Sequence, residues 1–269
     1  MKKINWLVIL FVLSILVMNS FAQPKDALRL SILYDNYVHL TGTQAEWGFS
    51  CLIEGTEKTI LFDTGTSGDI LRHNVRTMNV DLTKVDLIVL SHEHQDHTGG
   101  LTSVLEVNPE VTVYLPASFS TRLVRKVQQH GATVVTVDKS TQICENVFST
   151  GEMGTQILEQ SLVLTTPKGM VVITGCAHPG ILNIVKQAKK MFKQEIYLVL
   201  GGFHLGQFSE NDVNAIIAEM KSLDVKYVGP THCTGDRAIE CFRKAYADNC
   251  ISLGTGKVLT IGEHFERIK

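Results

Sequence analysis

His92-Glu93-His94-Gln95-Asp96-His97 follows an apolar run from Val85 to Leu90 that ends in Ser91. A short apolar run bounded by polar residues predicts a buried strand, so four candidate metal ligands, three His and one Asp, follow the end of that strand. Alternate side chains of an extended segment project to the same side, which places His92 and His94 to hold one metal ion. Asp96 and His97 come where the chain turns, and they are placed to hold a second ion. Imidazole and carboxylate donors favour zinc among the common divalent ions.

Two further apolar runs lead into histidines in the same way. Met170 to Thr174 precedes Gly175-Cys176-Ala177-His178, and Lys226 to Val228 precedes Gly229-Pro230-Thr231-His232. A metal centre takes its ligands from several strand ends, so His178 and His232 join the candidate ligands. The predicted ligand set is His92, His94, Asp96, His97, His178 and His232, for one or two divalent ions, with Zn²⁺ expected. Whether Cys176 or His178 is the ligand stays open at this point.

Another such element predicts contact with the substrate. Tyr197 to Leu200 is followed by Gly201-Gly202-Phe203-His204, where glycines permit close approach of the backbone. His204 is a candidate for substrate contact or general acid catalysis, with a structural histidine as the alternative. Asp96 is the second candidate catalytic residue, because it would ligate the second ion and orient the reacting group. The backbone amides near Thr234 and Gly235, at an expected helix start, are candidates to hold an anion such as phosphate.

The other apolar runs predict two packed sheets with helices outside. The early runs follow one another with few helices between them, which favours hairpins and an antiparallel sheet. The later runs alternate with helical patterns, such as the apolar stripe within Ile181 to Phe192. Ser209 and Asp212 form a pair that resembles a capping box, and they predict another helix start.

Ser91 to Gly100 resembles the metal-binding loop of the metallo-β-lactamase-fold hydrolase superfamily. His94 stands where the diiron flavoprotein branch carries Glu, which favours zinc-type hydrolysis. The resemblance implies an α/β fold, an αββα sandwich of two mixed β-sheets with flanking helices. Asp63 ends the run Ile60-Leu61-Phe62, and the resemblance implies that its carboxylate orients the metal loop through hydrogen bonds. A plain turn-forming Asp is the alternative.

Motifs along most of the chain narrow the resemblance to one branch. They are Leu33-Tyr34-Asp35-Asn36, Trp47-Gly48-Phe49-Ser50, Phe62-Asp63-Thr64-Gly65, the His92 loop, Gly175-Cys176-Ala177-His178, Gly201-Gly202-Phe203-His204 and Pro230-Thr231-His232-Cys233-Thr234-Gly235. This set resembles the branch of 7,8-dihydropterin-6-methyl-4-(β-D-ribofuranosyl)aminobenzene 5′-phosphate synthase and its metal-dependent hydrolase relatives. Many superfamily members carry a bridging Asp in Thr-Gly-Asp, whereas Cys176 follows Thr174-Gly175 here. Cys176 or His178 replaces that group, or the second site is incomplete.

The start of the 269-residue chain has the pattern of a secretory signal. Met1-Lys2-Lys3 is basic, Trp6 to Met18 is apolar, and Ser20-Phe21-Ala22 supplies the small residues of a cleavage site. We predict a signal peptide over residues 1–22, cleavage after Ala22, and a periplasmic or secreted protein. The alternative is an uncleaved anchor, but the apolar core is short for a span of about 20 residues. Residues 23–269 suit a single metallo-β-lactamase-like domain.

Charge and cysteine content limit the partners. The formal net charge of −2 and the isoelectric point near 6.5 do not indicate the excess of positive charge that nucleic-acid-binding proteins carry. We therefore expect a small-molecule substrate, no nucleic-acid partner and no stable membrane span after signal cleavage. Of the six cysteines, Cys241 and Cys250 are the nearest plausible disulfide pair in an exported protein. Cys176 and Cys233 adjoin the metal motifs and are expected to be free thiols close to the site.

These patterns lead to three functional hypotheses. The first is an exported metal-dependent hydrolase that uses a zinc-bound hydroxide on an ester, lactone or phosphoester-type small molecule. The second is a transferase resembling dihydropterin-ribofuranosylaminobenzene-phosphate synthase. The third is a non-catalytic metal-binding protein of the cell envelope, for which a closed coordination sphere without turnover would be the evidence.

Overall fold

The computed structural model of the protein describes residues 27–262. The predicted signal peptide, residues 1–22, lies outside them. Within the described range, no helix is both long and apolar enough to cross a membrane.

Thirteen strands within that range form two sheets. The seven-stranded sheet has, in spatial order, β13 (Val258–Ile261), β1 (Leu28–Tyr34), β2 (Ser50–Glu54), β3 (Ile60–Phe62), β4 (Leu87–Val89), β5 (Thr112–Pro116) and β6 (Thr133–Val137). The six-stranded sheet has β12 (Tyr227–Thr231), β11 (Ile196–Gly202), β10 (Gly169–Thr174), β9 (Leu162–Thr166), β8 (Val147–Gly151) and β7 (Lys139–Cys144). Both sheets are mixed, with parallel and antiparallel neighbours.

Helices cover the outer faces of the sheets. They are α1 (Gly68–Thr77), α2 (Gln95–Thr98), α3 (Leu101–Leu105), α4 (Thr121–Gln129), α5 (Ile181–Met191), α6 (Glu210–Ser222) and α7 (Asp236–Tyr246), with 3₁₀ turns at Leu82–Lys84, His232–Thr234 and Ala247–Asn249. The predicted stripe of α5 is buried at Ile181, Ile184, Val185 and Ala188. The predicted cap of α6 is confirmed, since the Ser209 hydroxyl accepts from the backbone N–H of Asp212 at 3.2 Å.

Three apolar clusters account for the layered architecture. The first lies between the sheets, where Ile32 and Phe62 of one sheet share a buried cluster with Ile173 and Leu200 of the other. The second lies under α5, α6 and α7, and the third lies under α1, α3 and α4. Each sheet is therefore apolar on both faces, one against the other sheet and one against helices. The predicted αββα sandwich is confirmed.

The strand pairing differs in part from the prediction of antiparallel early strands. β1, β2 and β3 pair antiparallel, but β3, β4, β5 and β6 run parallel. Parallel neighbours need a crossover connection, and α1, the α2–α3 pair and α4 provide it. The sequence interpretation also missed β7 and β8. Residues 139–142 of β7 are all exposed, because β7 is an edge strand, and such strands carry polar side chains instead of an apolar run.

All six cysteines are free, so the predicted Cys241–Cys250 disulfide is wrong. Cys241 is buried in α7, with its thiol 3.8 Å from a carboxylate oxygen of Glu210. Cys176 and Cys233 are both buried free thiols, as the sequence predicts.

Candidate metal centre

The predicted ligands come from strand ends in both sheets. In the first sheet, the segment after β4 carries His92 to His97, and the start of α2 at Gln95 turns the chain there. In the second sheet, β10, β11 and β12 run parallel and lead into His178, His204 and His232. Carboxyl ends of parallel strands meet at one edge of a sheet, where binding sites of such folds form. Packing of the two sheets brings both edges together.

The first candidate group consists of His92, His94 and His178. One ring nitrogen from each lies within 4.8 Å of the others, and the ring centroids are 4.6 to 5.0 Å apart. The Nε2 atoms of His92 and His178 are buried and have no hydrogen-bond partner. Buried polar atoms without partners are costly and rare, and a metal ion among them would satisfy these lone pairs.

The second candidate group consists of Asp96, His97, His232 and Cys176, again within 4.8 Å. Oδ2 of Asp96 lies 3.2 Å from Nε2 of His232 and 3.6 Å from Nε2 of His97. The Cys176 thiol lies 3.2 Å from Nε2 of His97. The structure therefore places His178 with the first group and Cys176 with the second. The two residues belong to different groups. Both can therefore be ligands, and the sequence alternative of Cys176 or His178 does not require a choice.

Hydrogen bonds behind the rings hold three histidines in one tautomer. The Asp63 carboxylate accepts from Nδ1 of His97 at 2.7 Å. The Ser91 hydroxyl donates to Asp63 at 2.7 Å and therefore accepts from Nδ1 of His92 at 2.9 Å. The Asn36 amide oxygen accepts from Nδ1 of His232 at 2.9 Å. A neutral imidazole with Nδ1 protonated presents the lone pair of Nε2 to a metal. The residues present thus fit divalent metal ions.

Asp63 occupies the outer position that the resemblance implies. Its side chain is fully buried, and its Oδ1 accepts from the backbone N–H of Ser91 at 2.7 Å. Asp63 therefore connects the end of β3 to the loop that carries His92 and to the ring of His97. That Asp63 orients the metal ligands stays a prediction. Its contacts favour this prediction over the alternative of an Asp that only forms a turn.

Three residues around the site were not assigned a function from the sequence. Asn36 holds His232, and Nε1 of Trp47 donates to Oδ2 of Asp96 at 2.8 Å. The buried Glu159 carboxylate accepts from the backbone N–H groups of Cys176, Ala177 and His178 at 2.8 to 2.9 Å. Asn36 and Trp47 lie in quoted motifs, but Glu159 has no local signal, because its partners lie 17 to 19 residues away.

The electrostatics of the site favour the neutral imidazole at His92 and His178 and the ionised carboxylate at Asp96. Burial and the neighbouring imidazoles lower the pKa of His92 far below its usual value. Burial, with the imidazole of His204 beside it, lowers the pKa of His178 to about 4. Burial opposes ionisation of Asp96, but its contacts with His232 and His97 outweigh this and lower its pKa. At neutral pH, His92 and His178 are therefore neutral and Asp96 is ionised, which are the forms that bind metal.

The pKa of His97 is shifted in the opposite direction. Burial opposes its charge, but the Asp63 carboxylate outweighs burial and raises the pKa of His97 to about 9. Without metal, this ring holds a proton at neutral pH. Metal binding at Nε2 must displace that proton, so binding to the second group releases it.

Strained backbone marks the same place. Asp63, Ala177, His204 and His232 have φ between 50° and 59°. This left-handed region is uncommon for residues other than glycine, and such strain persists at functional sites where the surroundings fix it. Asp63 directly follows β3, and the other three lie within three residues of the ends of β10, β11 and β12, which lead into candidate donors.

A pocket of about 980 Å³ opens beside the first group. Its walls are His94, Glu152, Met153, Gly154, Thr155, Gln156, Ile157, His178, Pro179, Asn183 and His204. The connection between β8 and β9 supplies the wall from Glu152 to Ile157, which the sequence interpretation did not find. His204 is exposed on this pocket, with its ring centroid 4.4 Å from that of His178. Substrate contact and general acid catalysis by His204 stay predictions.

Thr234 and Gly235 lie outside the lining of this pocket. The Thr234 side chain is fully buried, and its hydroxyl accepts from the backbone N–H of Phe203 at 3.0 Å. The Asp236 carboxylate lies in the first turn of α7, and a negative charge there opposes a second anion. Substrate binding by Thr234 and Gly235 stays a prediction without a contact that favours it.

Relatives of this chain match it over most of its length. The chain is 28% identical, over 87% of its length and 97% of the relative's, to the 7,8-dihydropterin-6-methyl-4-(β-D-ribofuranosyl)-aminobenzene-5′-phosphate synthase of Methanocaldococcus jannaschii. It is 30% identical to an uncharacterized protein of the same organism, over 86% of this chain and all of that one. The structure of Tm1679, a metal-dependent hydrolase of the β-lactamase superfamily, superposes with a TM-score of 0.76, 30% identity and coverage of 88% of this chain.

The first functional hypothesis, an exported hydrolase, is contradicted. A curated relative of stated activity that matches nearly end to end is a synthase, which agrees with the second hypothesis instead. The fold and metal loop could not separate the two, because one fold hosts both hydrolysis and group transfer.

Sequence similarity also assigns the family. Residues 48–232 match the Metallo-beta-lactamase superfamily. This range contains all the predicted metal ligands, from His92 to His232. Together with the two mixed sheets and their flanking helices, the match shows that the chain belongs to the metallo-β-lactamase superfamily.

Proposed function

We propose that the protein is a metal-dependent transferase that joins an arylamine to the 6-methyl carbon of a reduced pterin. The observation that carries this proposal is the similarity to the synthase over 87% of this chain and 97% of that protein. The name of that synthase describes a 7,8-dihydropterin-6-methyl group together with a ribofuranosylaminobenzene phosphate. Formation of such a product from two parts requires a bond between the methyl carbon and the amine nitrogen.

The proposed step is a displacement at carbon. The arylamine nitrogen forms a bond to the pterin 6-methylene carbon, the bond from that carbon to a phosphate or diphosphate oxygen breaks, and the amine loses one proton. The leaving group carries away the electron pair of the broken bond. The products are the coupled secondary amine, the free phosphate or diphosphate, and a proton.

The pocket has the size and lining for a bicyclic substrate. Its volume of about 980 Å³ is at the upper end of the range for small-molecule sites, roughly 300 to 1,000 Å³. Met153, Ile157 and Pro179 provide apolar surface for a flat ring. The amino-pyrimidinone edge of a pterin presents two adjacent N–H donors, and a carboxylate accepts such a pair strongly. Glu152 is the carboxylate in the pocket wall, and we propose that it binds this edge.

The first metal group opens onto the same pocket, because His94 and His178 line it. His92, His94 and His178 would hold one ion, and Asp96, His97, His232 and Cys176 would hold a second. Imidazole, carboxylate and thiolate donors together favour Zn²⁺. Bound divalent ions supply positive charge that stabilises a departing phosphate. His204, exposed at the pocket, would donate a ring N–H hydrogen bond to the same leaving oxygen.

The test is direct detection of the coupled product. Metal-reconstituted protein is incubated with a 7,8-dihydropterin-6-methyl diphosphate and 4-(β-D-ribofuranosyl)aminobenzene 5′-phosphate. The products are separated by chromatography and identified by mass spectrometry. We expect the mass of the secondary amine from the parent protein, and strongly reduced formation by Asp96→Asn. His130→Gln, at a half-buried position directly after α4, is the control and should match the parent. Folded, metal-loaded protein that forms no coupled product would show the proposal to be wrong.

A further inference from the structure

We propose that Cys176, Cys233 and His204 form a third metal site, which holds a thiophilic ion such as Zn²⁺ next to the two groups described above. The two sulfur atoms and one imidazole nitrogen lie within 4.8 Å of one another. Zinc binds thiolate sulfur at about 2.3 Å and imidazole nitrogen at about 2.0 to 2.1 Å, so donors of one tetrahedral ion lie about 3.4 to 3.8 Å apart. A small closing movement of these side chains reaches that spacing.

The backbone leaves room for the Cys233 thiol at this place. A Cβ on Gly202 would lie 2.6 Å from the Cys233 sulfur and 2.5 Å from the carbonyl oxygen of Gly175. Any side chain at position 202 would therefore displace the thiol, and glycine at the end of β11 keeps the space open. Cys176 and Cys233 are 3% and 8% exposed, so an ion between them would be shielded from water on that side.

The third site is distinct from the other two groups, because Cys233 and His204 belong to neither of them. Cys176 is the one shared donor, and its thiolate would bridge the second and third ions. An ordinary buried cysteine packs among apolar atoms. Cys233 instead lies beside a second thiol and an imidazole, and its sulfur is 3.5 Å from the carbonyl oxygen of Cys176.

The geometry also explains the exposure of His204. His204 lines the pocket, whereas the two cysteines are buried behind it, so the imidazole would be the one donor of this site that reaches the pocket. An imidazole has two ring nitrogens, so one can bind the ion while the other keeps its N–H toward the pocket. The third site is therefore compatible with the hydrogen bond proposed for His204, but it does not depend on the transferase activity.

Titration of the reduced, metal-free protein with Co²⁺ tests the third site without any substrate. Thiolate ligation to Co²⁺ gives a near-ultraviolet charge-transfer absorption, and visible ligand-field bands report tetrahedral coordination. We expect the Cys233→Ser and His204→Ala variants to bind one ion fewer than the parent, and Cys233→Ser to lose part of the charge-transfer intensity. The part that remains belongs to Cys176 in the second group.

Cys241→Ser is the matched control, because Cys241 is also a buried free thiol but lies in α7 against Glu210. It should keep the stoichiometry and the spectrum of the parent. Circular dichroism and thermal unfolding confirm that each variant is folded. The proposal is overturned when folded Cys233→Ser binds as many Co²⁺ ions as Cys241→Ser with the same charge-transfer intensity.

Discussion

Replacement of Asp63 by Asn tests whether the outer hydrogen bonds set the tautomer of the metal ligands. The Asp63 carboxylate accepts three hydrogen bonds, from Nδ1 of His97 and from the hydroxyl and backbone N–H of Ser91, each at 2.7 Å. Asn has nearly the same shape, but one of its two polar atoms is a donor. Its oxygen must face the Ser91 backbone N–H, so its amide N–H₂ faces the ring of His97.

That donor reverses the tautomer of His97. Nδ1 then accepts, the ring proton moves to Nε2, and Nε2 can no longer bind an ion. Loss of such an outer partner costs about 10- to 100-fold in metal affinity, which corresponds to about 1.4 to 2.7 kcal/mol. Competition with a chromophoric chelator measures this change for the second group.

Asp224→Asn is the control, because Asp224 also has a left-handed backbone, with φ of 57° compared with 56° for Asp63. It is exposed after α6 and contacts no candidate ligand. Ser91→Ala is a milder second variant, to be used if Asp63→Asn does not fold. It should weaken metal binding less than Asp63→Asn, because the backbone N–H of residue 91 still donates to Asp63. A folded Asp63→Asn protein with metal affinity within about twofold of the parent would refute the tautomer mechanism.

Three further perturbations address the proton, the pocket and the backbone. His97 has a pKa of about 9 without metal, so the metal affinity of the second group should rise with pH. The expected rise is up to about tenfold per pH unit between about pH 6 and 8. A constant affinity over this range, measured by chelator competition, would contradict this. Glu152→Gln should weaken pterin binding by about tenfold or more, through a lost charge-assisted pair, in a fluorescence titration where exposed Glu110→Gln has no effect. Gly202→Ala should lower the free energy of unfolding by about 1 to 3 kcal/mol, because its Cβ would lie 2.5 Å from a backbone oxygen. Gly206→Ala is the control, since the nearest atom to its Cβ is 3.7 Å away. Equal denaturation midpoints for the two variants would contradict the prediction.

The sequence predicted the candidate donors and the strands that lead into them. His178 and His232 follow apolar runs in the same way as His92, and the structure brings all three to one edge of the fold. Local patterns of this kind are readable because a buried strand and its polar end are adjacent in the chain. The parallel order of β3 to β6 was not readable, since pairing depends on connections that cross over the sheet.

The outer contacts and the pocket wall could not be read from the sequence. Trp47 reaches Asp96 across 49 residues of sequence, and Asn36 reaches His232 across 196. No local periodicity reports such contacts. Residues 152–157 have no apolar pattern either, and they form a wall of the pocket only because the connection between β8 and β9 folds back over the first group.

That connection gives the molecule two separately adjustable parts. The candidate donors are fixed by strand ends inside the two sheets, whereas the wall from Glu152 to Ile157 belongs to a surface loop that supplies no donor. Loops tolerate exchange and change of length much better than strand ends do. Substitutions in this loop can therefore alter which molecule is admitted while the metal chemistry is inherited unchanged, which is a route by which synthases and hydrolases can diverge from one ancestor.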